Sequence, residues 1–267
     1  MEIRKTNSRF IPLVAVAASA LVLGTSAKAS SENVSFSLSL DYNSHFISYG
    51  ANVWDGEDEN RKTFDGLLFQ PSAELSFALT EGSGIYTGVW FDINDNLPSG
   101  VGGRIQEVDI WLGYYFTVED FVFDFTFNQW YYGGETEGTF DISVGYEGVF
   151  FAPYILAHHR FDPNGPQETG TIFEVGATAY EMDAGPVSLS FPVGVGFTFD
   201  DYYVEDESGY VYSFVGAGFG MPLDFFPEGY GDWGLHGGLT VFHTDEDVTG
   251  NEESVYVALN LGVGLSF

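Results

Sequence analysis

The sequence predicts an all-β fold: a transmembrane, antiparallel, up-and-down β-barrel of about twelve strands, with ten or fourteen as the alternative counts. Three observations predict it. The last thirteen residues, 255–267, alternate without a break between large apolar side chains (Val255, Val257, Leu259, Leu261, Val263, Leu265, Phe267) and mostly small or polar ones. A period of two puts the apolar groups on one face of a strand, and the run exceeds the roughly 9–11 residues that a tilted strand needs to cross a bilayer. The first 29 residues have the form of a cleaved export signal, with Arg4, Lys5 and Arg9, then an apolar stretch over 13–24, then Ala27-Lys28-Ala29 as the cleavage site. That stretch is shorter than the roughly 17–25 residues of a spanning helix. Finally, residues 30–267 read as one domain of alternating segments separated by turns.

Twelve such segments follow in order: 33–48, 64–79, 84–94, 105–117, 120–131, 138–150, 152–161, 170–182, 186–199, 209–221, 232–244 and 254–267. Parity assigns their side chains to lipid or lumen. The first segment turns Asp41, Asn43 and His45 inward, the second Glu74 and the third Asp92. In the fourth, Val108, Ile110, Leu112, Tyr114 and Phe116 face lipid, which leaves Glu107, Asp109 and Trp111 to the lumen. The fifth is equally clean, with Phe121, Phe123, Phe125 and Phe127 outside and Asp124, Asn128 and Trp130 inside. The sixth directs Asp141 and Glu147 inward, the seventh His158 and Arg160, and the eighth Glu174. The ninth sets Val187, Leu189, Phe191, Val193, Val195, Phe197 and Phe199 against an inner row of Ser, Gly and Thr. The tenth carries Tyr210 and Tyr212 towards the lumen, the eleventh His236, and the twelfth Asn260, Gly262, Gly264 and Ser266.

Loop lengths agree with this arrangement. With both termini periplasmic, the turns at 80–83, 117–119, 151 and 183–185 are short, and the loops that begin at Tyr49, Asp95, Tyr132, Asp162, Asp200 and Asp245 are mostly longer. The turn 222–231, from Pro222 to Gly231, is long for its side; it reads either as a plug-like segment or as a miscounted pair of strands.

Composition narrows the function. Cysteine is absent, which excludes a disulfide framework, a thiolate nucleophile, a Cys-ligated metal and a lipidated cysteine. The chain has 8 Lys and Arg against 39 Asp and Glu, a formal net charge of −31. Only Arg61, Lys62, Arg104 and Arg160 of the basic residues lie beyond the presequence. Such a balance excludes nucleic acid as a partner by like-charge repulsion. A hydrophobic face this regular opposite an inner face this polar does not make a dry core. An aqueous lumen lined by Asp41, Glu74, Asp92, Glu107, Asp109, Asp124, Asp141, Glu147 and Glu174, with Arg160 among them, lowers the energy of cations and raises that of anions.

The functional expectation is therefore a porin-like channel for passive diffusion of small hydrophilic solutes, favouring cations. Two alternatives stay open. One is a closed structural or adhesive barrel, sealed by inward Trp90, Trp111, Trp130, Tyr210 and Tyr212. The other is an outer-membrane lipid hydrolase built on one of His45, His158, His159, His236 and His243. Ser44 precedes His45, but strand neighbours face opposite sides, so the two are not expected to pair. No cofactor is expected, beyond divalent cations such as Ca²⁺ held loosely at acidic outer loops: 55–59, Asp200-Asp201 with 205–207, and 245–247 with Glu252-Glu253. The expected partners are outer-membrane lipid, small solutes or cations, and the barrel-assembly machinery, which would read the terminal strand from Val255 to Phe267. The oligomeric state, monomer or trimer, stays open.

The run Leu40-Asp41-Tyr42-Asn43-Ser44-His45-Phe46-Ile47-Ser48-Tyr49-Gly50 resembles the opening of the TorF-like porins, which has the approximate form S-x-Y-x-x-x-G, with Tyr49 where that group usually carries Arg. Glu107-Val108-Asp109-Ile110-Trp111-Leu112-Gly113-Tyr114 and the aromatic terminal strand are further similarities. The resemblance implies an outer-membrane barrel and brings no catalytic residue with it.

Overall fold

The computed structural model describes residues 33–54, 68–163, 169–227 and 229–267. The export signal, the acidic run Asp55-Gly56-Glu57-Asp58-Glu59, and Arg61 with Lys62 lie outside the described residues. Twelve antiparallel strands close into one barrel: β1 Val34–Asn43, β4 Leu68–Thr80, β5 Ser83–Ile93, β6 Ile105–Val118, β7 Phe121–Tyr131, β8 Thr136–Tyr146, β9 Pro153–Pro163, β10 Gly170–Ala184, β11 Val187–Thr198, β12 Gly209–Pro222, β13 Asp232–Thr244 and β14 Val255–Ser266. Each pairs with its sequence neighbour, and the wall closes where β1 pairs with β14 from Ser37↔Ser266 to Asn43↔Asn260. Two short strands outside the wall, β2 Ile47–Ser48 and β3 Ala51–Asn52, form a hairpin of their own.

The alternation drives this closure. Ile110 and Leu112 are 55% and 58% exposed, whereas Asp109, next to Ile110 on the same strand, is 2% exposed. A wall with its apolar side out and its polar side in is stable only where the outside is hydrocarbon, and closing it leaves no unpaired strand edge in the lipid. Rings meet along the lipid face near the end that carries the termini, Phe116 stacked on Phe123 at 4.8 Å and Phe121 tilted against Tyr146 at 4.8 Å. At the opposite end Tyr42 meets Phe69 at 5.0 Å and Phe173 meets Phe199 at 5.6 Å. These two girdles match the polar–apolar boundaries of a bilayer.

Inside, bulky rings fit against the wall because glycine faces them across the ladder. A Cβ at Gly113 would enter the Tyr86 ring, and one at Gly196 would enter the Tyr212 ring. The aromatic side chain lies flat over its neighbour strand instead of filling the lumen.

Three expectations change. The first segment does not continue to residue 48: β1 stops at Asn43, and the chain leaves the wall and turns into the lumen. Released from strand parity, Ser44 Oγ lies 2.9 Å from His45 Nδ1, the contact that parity ruled out, and Ser44 Oγ also accepts from the Leu259 amide at 2.8 Å. His45 therefore packs its ring against Tyr256 rather than standing on the wall. In β12, Tyr212 pairs with Gly196 but Tyr210 pairs with Phe197, so one extra residue, Val211, separates them. That bulge sends Tyr210 to the outside, where it bonds Ser213 and the exposed His243, and removes it from the sealing set. The turn after Pro222 is no plug: twelve strands account for the wall, and the turn folds against the outside of the barrel.

Candidate functional site: an acid-lined lumen with a plug

Five of the inward carboxylates are held by side-chain donors that the fold brings alongside them. Glu74 accepts from Trp111 Nε1 at 3.0 Å and Ser76 Oγ at 3.2 Å. Asp92 accepts from Gln70 at 3.1 Å, Trp54 at 2.9 Å and Asn94 at 2.9 Å. Asp124 accepts from Tyr86 Oη at 2.8 Å and Thr126 at 2.9 Å. Glu174 is gripped by the hydroxyls of Tyr154, at 2.5 Å, and Tyr212. Asp41 bonds Ser39 at 2.5 Å, His236 at 2.7 Å and Asn260 at 3.1 Å. Bonds to an ionised acceptor are about twice as strong as neutral ones, and they let a carboxylate stay in a confined lumen.

Glu107 and Asp109 are less well supplied: both are buried, and Asp109 Oδ1 has no hydrogen-bond partner. Glu137, which the sequence reading did not include because its segment began one residue later, lies inward and pairs with Arg160 at 2.8 Å. Glu147 lies beyond the end of β8, exposed in the turn, with its amide bonded to the Asp120 carbonyl. It belongs to the rim and not to the wall; partial burial and then the Asp120 charge raise its pKa above the usual carboxylate range.

Across the half of the lumen away from the termini lies a plug. Between β2 and β3, Tyr49 (φ 46°) and Gly50 (φ 95°) form a two-residue turn with both φ positive, the type I′ pattern of tight hairpins. Tyrosine is a strained choice for the first of these positions, where asparagine or glycine is usual. Its ring explains the choice. Tyr49 stacks on His158 at 3.7 Å, with Trp130 stacked on the far side of the same cluster, and its hydroxyl reaches Asp141 at 3.4 Å. Burial, and then Asp141, push the Tyr49 hydroxyl well above the ordinary phenol range, so it acts as a donor.

A second loop, 199–208, closes over the first. Tyr202 Oη meets His158 Nε2 at 2.7 Å while His158 Nδ1 meets Asp141 at 2.5 Å. Arg160 lies over the Tyr202 ring at 4.0 Å and donates to its carbonyl at 2.9 Å, and Tyr203 Oη donates to the Ser48 carbonyl at 2.6 Å. Asn251, from the loop that follows the short helix α1 (Glu246–Thr249), donates to the Gly50 carbonyl at 2.8 Å. Phe46, Leu68 and Trp90 pack as a second apolar group with Trp54 and Trp111. Of the expected sealing residues, Trp90, Trp130 and Tyr212 are buried in this region and Trp111 is half-buried beside Glu74.

Below the plug the inner face is small: Ser37 faces Ser266, Ser39 faces Gly264, and Ser188 and Ser190 face Gly220 and Gly218. Here Ser39, Asp41 and His236 come together, but not as a hydrolytic relay. Asp41 Oδ1 and Ser39 Oγ both approach His236 Nε2, at 2.7 and 3.4 Å, whereas a relay needs the acid on one ring nitrogen and the hydroxyl on the other. No group of three or more His, Asp or Glu suited to a metal ion occurs among the described residues.

No family model matches the sequence, and no curated protein does. Solved structures do match. An outer-membrane channel from Pseudomonas putida F1 aligns over 91% of this chain and 98% of its own, with a TM-score of 0.50 and 10% identity. The CymD monoaromatic hydrocarbon channel aligns over 88% and 89%, with a TM-score of 0.49 and 8% identity, and the NanC porin over 85% and 98%, with 0.46 and 8%. At 10% identity the likeness to the first of these speaks for the fold alone, a closed barrel of the outer-membrane class, and the TorF-like resemblance stays one of short motifs.

Proposed function

We propose that this chain is an outer-membrane channel for small hydrophilic solutes, favouring cations, and that the conformation described is its closed state. One observation carries the reading: the inner face is lined by small residues towards the termini, whereas the far half holds chain that is not part of the wall. A barrel needed only as a wall would be filled by wall side chains. Here wall side chains such as Trp130 and Tyr212 share the filling with a hairpin and two loops, elements that can move without breaking a wall ladder. The cation preference rests on nine inward carboxyl groups, Glu137 included, against one guanidinium, Arg160, among the described residues. With the termini periplasmic, the small-residue end faces the periplasm and the plug faces outside.

Reconstitution in planar bilayers under a KCl gradient tests this. The expected result is a low open probability with a reversal potential of cationic sign, reduced by Asp109→Asn with Asp124→Asn. An anionic reversal potential would sink the selectivity claim. A second reading, a permanently closed structural barrel, is favoured by how deeply Tyr49 and Tyr202 are buried. It predicts no current even when the plug is loosened.

A further inference from the structure

Asp109 is flanked by tryptophan on both sides. It lies in register with Trp90 of β5 and with Trp130 of β7, so the three side chains share the inner face on adjacent strands. None is more than 7% exposed. Two of their polar atoms have no hydrogen-bond partner: Asp109 Oδ1, an acceptor, and Trp130 Nε1, a donor. These two residues face each other across one rung of the ladder without bonding. Leaving both atoms buried and unpaired costs free energy, which a ligand that paired them would recover. Nor does a cation compensate the charge. Glu107, two residues along the same face, is in register with Asp92, and the described ion pairs commit Arg160 to Glu137 and Arg104 to Asp95. The plug meanwhile covers Trp90, where Phe46 packs at 5.1 Å with Val53 and Trp54 beside it. The hairpin thus holds an indole face and supplies nothing to Oδ1 or Nε1.

We infer that Trp90, Asp109 and Trp130 form a recognition site for a hydroxylated primary ammonium, such as an amino sugar, which replaces Phe46 of the plug on the Trp90 indole. An ammonium is attracted both to an indole face and to a carboxylate, and its N–H groups supply the donor that Asp109 Oδ1 lacks. Trp130 Nε1 needs an acceptor. A hydroxyl provides one, whereas a bare metal ion or a quaternary ammonium does not. The described residues also offer no group suited to a metal ion. A ligand that binds only after the hairpin has left draws the lumen towards its open state. As an assignment of the solute, this rests on the channel reading above.

The test is calorimetric titration of the full-length protein in detergent with glucosamine, glucose and cyclohexylammonium, at a pH where the amines are charged. Glucosamine should bind and glucose should not. Asp109→Asn should weaken glucosamine binding about tenfold or more, the size of a hydrogen bond to a charged group. Glu81→Gln, the same change of charge in the exposed turn between β4 and β5, should leave it unchanged. Trp130→Phe keeps a ring and loses the N–H. It should cost glucosamine about fivefold and cyclohexylammonium nothing, the latter also reporting an intact fold. Tyr49→Asn, which removes the ring stacked on His158 and so loosens the hairpin, should tighten glucosamine binding. Absence of glucosamine binding in both the wild type and Tyr49→Asn, equal binding of glucose, or no effect of Asp109→Asn would overturn the site. Equal weakening of both amines by Trp130→Phe would overturn the hydroxyl assignment. Binding without any bilayer current would instead overturn the channel and keep the site, and current without glucosamine binding would do the reverse.

Discussion

Tyr49→Asn should unlatch the plug while leaving the hairpin intact, because asparagine suits the left-handed turn position that tyrosine occupies at φ 46°. Tyr49 is 5% exposed. An aromatic side chain buries about 150–250 Å², worth about 4–6 kcal/mol at 25 cal/mol per Å². Relief of the left-handed strain returns about 1 kcal/mol, and the smaller side chain keeps part of the burial. A net loss of about 3 kcal/mol from the closed state multiplies the open-to-closed ratio about 150-fold. The ring packs on wall side chains but contributes nothing to the wall's ladder, since β2 and β3 make no ladder with the barrel. Single-channel recording should show long openings in the variant where the wild type opens rarely, with unchanged unfolding of the barrel in detergent. Identical open probabilities in the two proteins, both folded, would refute the latch.

Arg160→Met should leave Glu137 as an unpaired carboxylate among residues that are all but fully buried, at a cost of about 3–5 kcal/mol in urea unfolding. Adding Glu137→Gln to it should recover most of the loss. Gly113→Val should cost about 1–3 kcal/mol because the new side chain meets the Tyr86 ring, whereas Gly145→Val, which meets nothing, should be close to neutral. Glu147 has a pKa raised in the folded protein by partial burial and by Asp120, so its stabilising contribution is complete below pH 4.5 and is lost as pH rises through the folded value. Glu147→Gln should flatten the stability–pH curve across that window, and a curve unchanged by the variant would remove Glu147 from the account.

Strand parity was legible because lipid enforces it: a single misplaced carboxylate on the outer face is costly, so the period of two persists over whole strands. That is why Asp109, Asp124, His158 and Arg160 could be placed inward from sequence. The departures occur where the pattern is locally silent. At Tyr210-Val211-Tyr212 three large residues succeed one another, and nothing in their order says which is the extra one of the bulge. At Ser44 the alternation continues while the strand does not; the usable signals were the consecutive apolar pair Phe46-Ile47 and the Tyr49-Gly50 turn just after it. Glu137 was recoverable by extending the parity of Asp141 two steps back. The donors to the carboxylates were not recoverable, because Gln70 meets Asp92 and His158 meets Asp141 only once the register between strands is set.

That register also bears on what a passing ion would encounter. Glu74, Asp124 and Glu174 take their donors from the wall, through Trp111, Tyr86 and Tyr154, and would keep them with the plug displaced. Asp92 would lose Trp54, Asp141 would lose Tyr49, and His158 and Arg160 would lose Tyr202. Only water or the solute itself can replace those partners. Opening therefore removes donors mainly at Asp92, which keeps Gln70 and Asn94, and at Asp141, which keeps Asn128 and His158, on opposite sides of the Glu107–Asp109 pair, and leaves the rest of the wall as quiet as before. On the proposed function, selectivity is then set mainly at this level of the lumen, and the same bonds that would make it selective when open are the ones that hold it shut.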